Sequence, residues 1–180
     1  KPINISETTI PILTYHKFCT GDSTDSYCIN ISRFEQQMAY LKENGYQVIT
    51  VSQLVECAKN NNFPHKPIVI TIDDGFKSVY KLAYPVLKKF GFPATLFLYT
   101  NFIGNGSNQL SWLEIREMMH QGIEVGSHTI THCNLLHRKN NEPQKDYLRR
   151  IKEEIFLSKS ILERNTGSTV ISFAYPYGVY

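Results

Sequence analysis

Asp73 and Asp74 stand side by side directly after an apolar run at residues 67–72. Two neighbouring carboxylates at the end of an apolar strand repel each other and are costly to bury. A bound cation removes that penalty by holding one of them ionised, and the other, close to the metal, can then act as a base. A second segment, Ser127-His128-Thr129-Ile130-Thr131-His132, spaces two histidines at i and i+4. Read as one face of a helical turn, that spacing puts two imidazole nitrogens on one ion. Neutral imidazole suits zinc, cobalt or nickel better than magnesium or calcium. An isolated Asp-Asp-Gly is commonly a solvated turn, and an isolated HxxxH is more often a pair of surface histidines. Together, one carboxylate and two histidines on strand-end loops make a three-ligand site with open positions, which a catalytic metal needs for water and substrate. A third segment, Phe173-Ala174-Tyr175-Pro176-Tyr177-Gly178, is an aromatic loop shaped by its proline and glycine, and rings at a rim suit sugar faces.

The elements that must position these groups alternate short apolar runs with amphipathic stretches, the pattern of an α/β fold with parallel strands. Strands are predicted at 10–15, 48–50, 67–73, 93–99, 123–126 and 170–174. The run Ile68, Val69, Ile70, Ile72 is apolar on both faces, as in a sheet covered on both sides. Ser32 with Glu35 reads as a capping box for a helix that buries Phe34, Met38 and Leu41 and stops near Gly45. Ser52 opens another, with Leu54, Val55 and Ala58 toward the core. Residues 76–90 form a helix burying Val79, Leu82, Val86 and Leu87, which Pro85 bends or restarts. Ser111 caps a helix bearing Leu113, Ile115, Met118 and Met119. A long helix at 143–164 turns Leu148, Ile151, Ile155, Ile161 and Leu162 inward and stops at Gly167. The chain reads as one domain, 1–180, and its ligands gather beyond the carboxyl ends of the strands, whether the sheet is a barrel or open.

Of 180 residues, 42% are hydrophobic and 19% charged, which fits a globular domain. The net charge of +3 comes without a Lys/Arg block, so no nucleic-acid footprint is present. No stretch approaches the roughly 18–20 apolar residues of a transmembrane segment. The four cysteines form no CxxC pair, which argues against a cysteine zinc site. Cys19 and Cys28 flank a polar loop and are open to two readings, a disulfide or two free thiols. The Lys1-Pro2 start, without Met or signal peptide, reads as a mature or trimmed chain.

The segments TIDDG (71–75), HTITH (128–132) and AYPYG (174–178), in that order, resemble the polysaccharide deacetylases of carbohydrate esterase family four. Thr14-Tyr15-His16 is similar to the first strand of the branch acting on poly-N-acetylglucosamine, and the helix segment from Glu154 to Gly167 fits the same pattern. The resemblance implies a distorted (β/α) barrel with a groove for a polysaccharide substrate. It implies Asp73 as the general base, Asp74, His128 and His132 as ligands of a divalent metal (zinc, with cobalt or nickel as alternatives), and the Tyr177 backbone N–H as an oxyanion donor. The expected reaction removes N-acetyl groups and releases acetate. The expected location is extracellular, periplasmic or at the cell surface. The alternative is a non-catalytic, metal-containing carbohydrate-binding domain derived from such an enzyme. Chitin, peptidoglycan and poly-N-acetylglucosamine are all open as polymers, with the last preferred. Two departures stand out. Ala174 occupies a position where family members often carry arginine. The Leu-x-His segment that supplies their general acid has no counterpart before Tyr180, and His16, His65, His120 and His137 lack its context. The barrel is therefore expected to be incomplete at the C-terminus.

Overall fold

The computed structural model describes residues 9–104 and 106–180; the Lys1-Pro2 start lies outside them. In chain order the elements are β1 (Ile12–Tyr15), β2 (Lys17–Cys19), β3 (Cys28–Asn30), α1 (Ile31–Glu43), β4 (Gln47–Ile49), α2 (Val51–Asn60) and β5 (Pro67–Asp74). A π-helical turn (Val79–Ala83) leads into α3 (Tyr84–Phe90), followed by β6 (Ala94–Leu98), α4 (Trp112–Met119), β7 (Ile123–Ser127) and α5 (Gln144–Thr166).

The main sheet is wholly parallel, ordered β1-β5-β6-β7, with β4 also pairing β5. Val69 is the partner of both Ile12 and Ile49, while Thr71 and Ile72 face β1 on one edge and β6 on the other. A strand has two edges, so β4 and β6 share one edge of β5, β4 along its first half and β6 along its second. β5 is thus paired on both edges, and its first six residues are buried, which is why its sequence is a continuous apolar run. The core packs Phe34 and Met38 of α1, Ile70 of β5, Leu96 of β6 and Ile115 of α4 against the sheet. Among the described residues the sheet does not close. Residues 170–174 give no strand but a single parallel bridge, in which the Ser127 N–H donates to Ser172 and the Ala174 N–H to Ser127. Among the described residues no helix is long and apolar enough to cross a membrane.

Helix starts differ from expectation by two residues at α1 and α2. Asn30, not Ser32, caps α1, its side chain accepting from the Ser32 N–H, and Glu35 pairs with Lys89 instead of closing a box. Thr50 caps α2 in a full capping box with Gln53, and Ser52 gives its N–H and hydroxyl to Glu124 of β7. Ser111 caps α4 with Glu114 as its box partner. Pro85 sits where α3 continues without a break from the π turn, and the wider bonding of that turn accommodates a residue with no N–H to donate. Val55, Ala58, Leu113 and Leu148 are exposed rather than inward. In α5 the buried positions are Glu154, Ser158 and Leu162, an i, i+4, i+8 stripe whose first two members are polar, so apolar periodicity misplaced the face by about one position. All four cysteines are free. Burial, then a hydrogen bond with the Cys19 thiol, pushes the pKa of the Cys28 thiol up to about 11.

Candidate metal and catalytic site

Asp73 and Asp74 end β5, opposite Phe97 and Leu98 of β6. In a regular strand, neighbours point to opposite faces. Asp74 breaks that alternation with φ 77, and Gly75 follows at φ 100, so both carboxylates line one cavity. Gly75 is also spatially required: a Cβ there would lie 2.7 Å from Ile103 Cδ1.

His128 directly follows β7 and is 2% exposed. Its Nδ1 lies 2.9 Å from the Ala174 carbonyl. A carbonyl only accepts, so Nδ1 carries the proton and Nε2 presents its lone pair to the cavity. Burial, the largest influence, lowers the pKa of this ring and favours the neutral form. The segment 128–132 is not the helical turn expected from its spacing. Thr129 and His132 have φ 73 and 58, and the His132 N–H bonds the Thr129 hydroxyl at 2.9 Å. The N–H groups of Ile130 and Thr131 go to the Glu154 carboxylate. The loop doubles back, and this brings the two rings together.

The His128 and His132 Nε2 atoms are 3.1 Å apart. Asp74 Oδ1 lies 3.4 Å from the second and 3.9 Å from the first. Ligands at about 2.0–2.1 Å on a tetrahedral ion are separated by roughly 3.4 Å, so this triad has the spacing of a metal's coordination shell. Asp74 Oδ1 is buried without a hydrogen-bond partner, a costly state for an oxygen that a cation would satisfy. The donor set, two imidazoles and one carboxylate, fits a divalent transition metal.

Asp73 stands beside the triad. Its Oδ1 is likewise buried and without a partner, and burial, then the Asp74 charge, raises its pKa from 3.8 to about 7. The nearest imidazole to its other oxygen is His16, with Nε2 at 4.0 Å, packed at a tilt against Tyr27 with ring centroids 5.1 Å apart. The cavity, of about 540 Å³, opens at the carboxyl ends of β1, β5 and β7. Tyr177 and Gly178 form part of its wall from a 3-10 turn, Pro176–Gly178. Gly178 has no side chain, so the turn's main chain itself lines the cavity. The Tyr177 ring packs 4.8 Å from His132.

All five residues singled out from the sequence, Asp73, Asp74, His128, His132 and Tyr177, converge on this one cavity. From sequence, neither His16 nor Glu154 is assigned a role: His16 stands in Thr14-Tyr15-His16 but is set aside as an acid for want of a Leu-x-His context, although its place just after a strand is the position that Asp73 and His128 share. Nothing in local sequence marks Glu154, because its partners are 23 and 24 residues away.

The polysaccharide deacetylase family model matches residues 60–180. The Bacillus subtilis (strain 168) protein YxkH is 33% identical over 172 residues, 95% of this chain and 57% of that protein. The chain thus spans under two thirds of that relative's length. A poly-beta-1,6-N-acetyl-D-glucosamine N-deacetylase of Staphylococcus aureus (strain MRSA252) is 27% identical over 197 residues, 99% of this chain and 68% of that one. The solved structure of the Streptococcus pyogenes deacetylase PplD in complex with acetate superposes with a TM-score of 0.84 at 27% identity, covering 95% of this chain and 75% of that one. The expected fold class, a (β/α) barrel of the deacetylase type, is borne out, here with an open sheet.

Proposed function

This chain belongs to the polysaccharide deacetylase family, and from that premise we propose that it hydrolyses N-acetyl groups on a polymer containing N-acetylglucosamine, releasing acetate. The observation that carries the reading is the convergence of Asp74, His128 and His132, whose ligand atoms lie within 4.8 Å of one another, beside a separate buried acid, Asp73. A structural ion is usually closed off by four protein ligands, whereas this triad leaves a position open for water, and an acid beside it is useful when that water must be deprotonated. The poly-beta-1,6-N-acetyl-D-glucosamine specificity of the Staphylococcus aureus relative supports that polymer as substrate, and an extracellular, periplasmic or cell-surface location is consistent with that reading.

Asp74, His128 and His132 would hold a divalent cation, zinc first and cobalt or nickel next. Bound there, the cation supplies Lewis acidity, polarising the acetyl carbonyl and making water more acidic. Asp73 takes the proton of the attacking water. In the metal-free chain burial and the Asp74 charge raise this carboxyl to about 7, and a cation held at the triad would offset the Asp74 charge and keep Asp73 ionised as the base. The main chain of the Tyr177 turn donates to the oxyanion, a contribution of about 3–4 kcal/mol for a single good donor. The departing amine must gain a proton, and His16, facing Asp73 across the cavity, is positioned to give it. Burial lowers the pKa of His16, so its resting ring is neutral, and the proton it passes to the amine is the one Asp73 has taken from the water.

The test is acetate release from an N-acetylglucosamine oligomer, with and without added zinc or cobalt, by the wild type and Asp73→Asn. Metal-dependent release that falls by about 10²–10⁴ in the variant is expected. Metal binding that requires His128 and His132, yet with no release by the wild type, would defeat the catalytic reading.

A further inference from the structure

The inward face of α5 is polar where it meets the histidine loop. Glu154 is 7% exposed and Ser158 fully buried, one helical turn apart. Ser158 bonds the Ser127 hydroxyl at 2.7 Å, immediately before His128. Glu154 accepts three hydrogen bonds: Oε2 takes the Ile130 N–H at 2.8 Å and the Thr131 N–H at 3.0 Å, and Oε1 takes the Thr131 hydroxyl at 2.7 Å. These donors lie between the two histidines. The loop they belong to carries two non-glycine residues at positive φ, Thr129 and His132, and for β-branched Thr129 that conformation is strongly disfavoured. A segment in such a conformation keeps it only when its surroundings over-determine it.

We infer that Glu154 is the positioning residue for His132: by clamping Ile130 and Thr131 it holds the doubled-back loop that sets the His132 ring 3.1 Å from His128 and 3.4 Å from Asp74. This rests on the metal-site reading above. Glu154 touches neither the ring nor the cavity lining, so it acts through the backbone. Burying a carboxylate among neutral donors is expensive unless its oxygens are satisfied, and here both are. A simple filler for the space under the loop would be apolar. The two polar positions on α5, four residues apart, instead grip the loop just before each of its histidines, also four residues apart, so the helix serves as a template for the ligand spacing.

The test uses the purified protein, stripped by chelator and titrated with cobalt(II), reading dissociation constant and visible absorption spectrum together. Glu154→Ala should weaken cobalt binding about 10–100-fold, the range for losing a group that orients a ligand, and should alter the band shape. Glu154→Gln offers an acceptor for the two N–H groups and a donor for the Thr131 hydroxyl, so it should restore affinity to within about threefold of wild type. A folded Glu154→Ala whose affinity and spectrum match the wild type would overturn the inference, even if its melting temperature fell. So would Glu154→Gln binding as poorly as Glu154→Ala. Should Glu154→Ala not fold, Thr131→Val decides: removing one of the three bonds should weaken cobalt binding several-fold, and no change would count against the clamp. Absence of cobalt binding by the wild type would instead sink the metal site itself.

Discussion

Replacing Asp73 with asparagine should stabilise the metal-free protein at neutral and higher pH while removing catalysis. In the folded, metal-free chain the Asp73 carboxyl titrates at about 7 rather than 3.8, chiefly because it is buried and secondly because Asp74 is beside it. Its side chain is 13% exposed, so solvent screens it little. Between about pH 4 and 7 the unfolded chain has released this proton and the folded chain has kept it. Folding therefore takes up a proton in that window, and stability falls as pH rises through it, by about 1.4 kcal/mol per pH unit, reaching a loss on the order of 4 kcal/mol above pH 7. Asparagine has the same shape and no charge, so it removes the pH-dependent loss. Urea unfolding of chelator-treated wild type and variant at pH 5, 6, 7 and 8 should show the variant's advantage widening by about 3 kcal/mol across the series. A saturating divalent metal, which offsets the Asp74 charge, should narrow the gap. Parallel stability curves for the two metal-free proteins would refute the claim that this site holds Asp73 in a destabilised, proton-hungry state.

Two further outcomes follow from the geometry. His16→Gln should lower kcat by about 10²–10⁴ while leaving cobalt affinity close to wild type, because His16 borders the ligand triad without being one of its three ligands; acetate release and cobalt titration on the same sample separate the two. Gly126→Ala should lower stability by about 1–3 kcal/mol, since the new Cβ would sit 2.4 Å from Phe97 Cε1 and 2.6 Å from Ser172 Oγ, and a melting temperature equal to wild type would show that β7 has room to shift.

The five strands of the main sheet and the five site residues were readable from sequence because each leaves a mark on its own segment, whereas the short pair β2 and β3 was missed and 170–174 gave only a bridge. β5 is buried along its first six residues, and a strand buried in that way must be apolar throughout. The carboxylates and histidines stand at strand ends, where a parallel sheet gathers its ligands. What was not readable depends on pairs of distant groups. Asn30 and Ser32, or Thr50 and Ser52, are equally good caps by residue type, and only the point where the preceding strand ends selects the first of each pair. The inward face of α5 looked apolar because Glu154 and Ser158 are polar, yet their partners Thr131 and Ser127 make those two positions the buried ones.

The same division separates scaffold from site in physical terms. Of the seven non-glycine residues with positive φ among the described residues, four are in the site: Asp74, Thr129, His132 and Tyr177. Each turns a chain that regular structure would have carried past the cavity. Asp74 brings two adjacent acids to one face, Thr129 and His132 fold the histidine loop back, and Tyr177 turns main chain into the wall. Such conformations disfavour themselves locally by about 1–3 kcal/mol apiece, so they need anchors, and the anchors come from elsewhere: Ile103 and Leu98 closing over Gly75, Glu154 under the loop, the Ala174 carbonyl on His128. Local propensity can forecast the strands that deliver these residues to the rim. It argues against the backbone conformations that make them a site, and those exist only because the packed domain supplies what the segments lack.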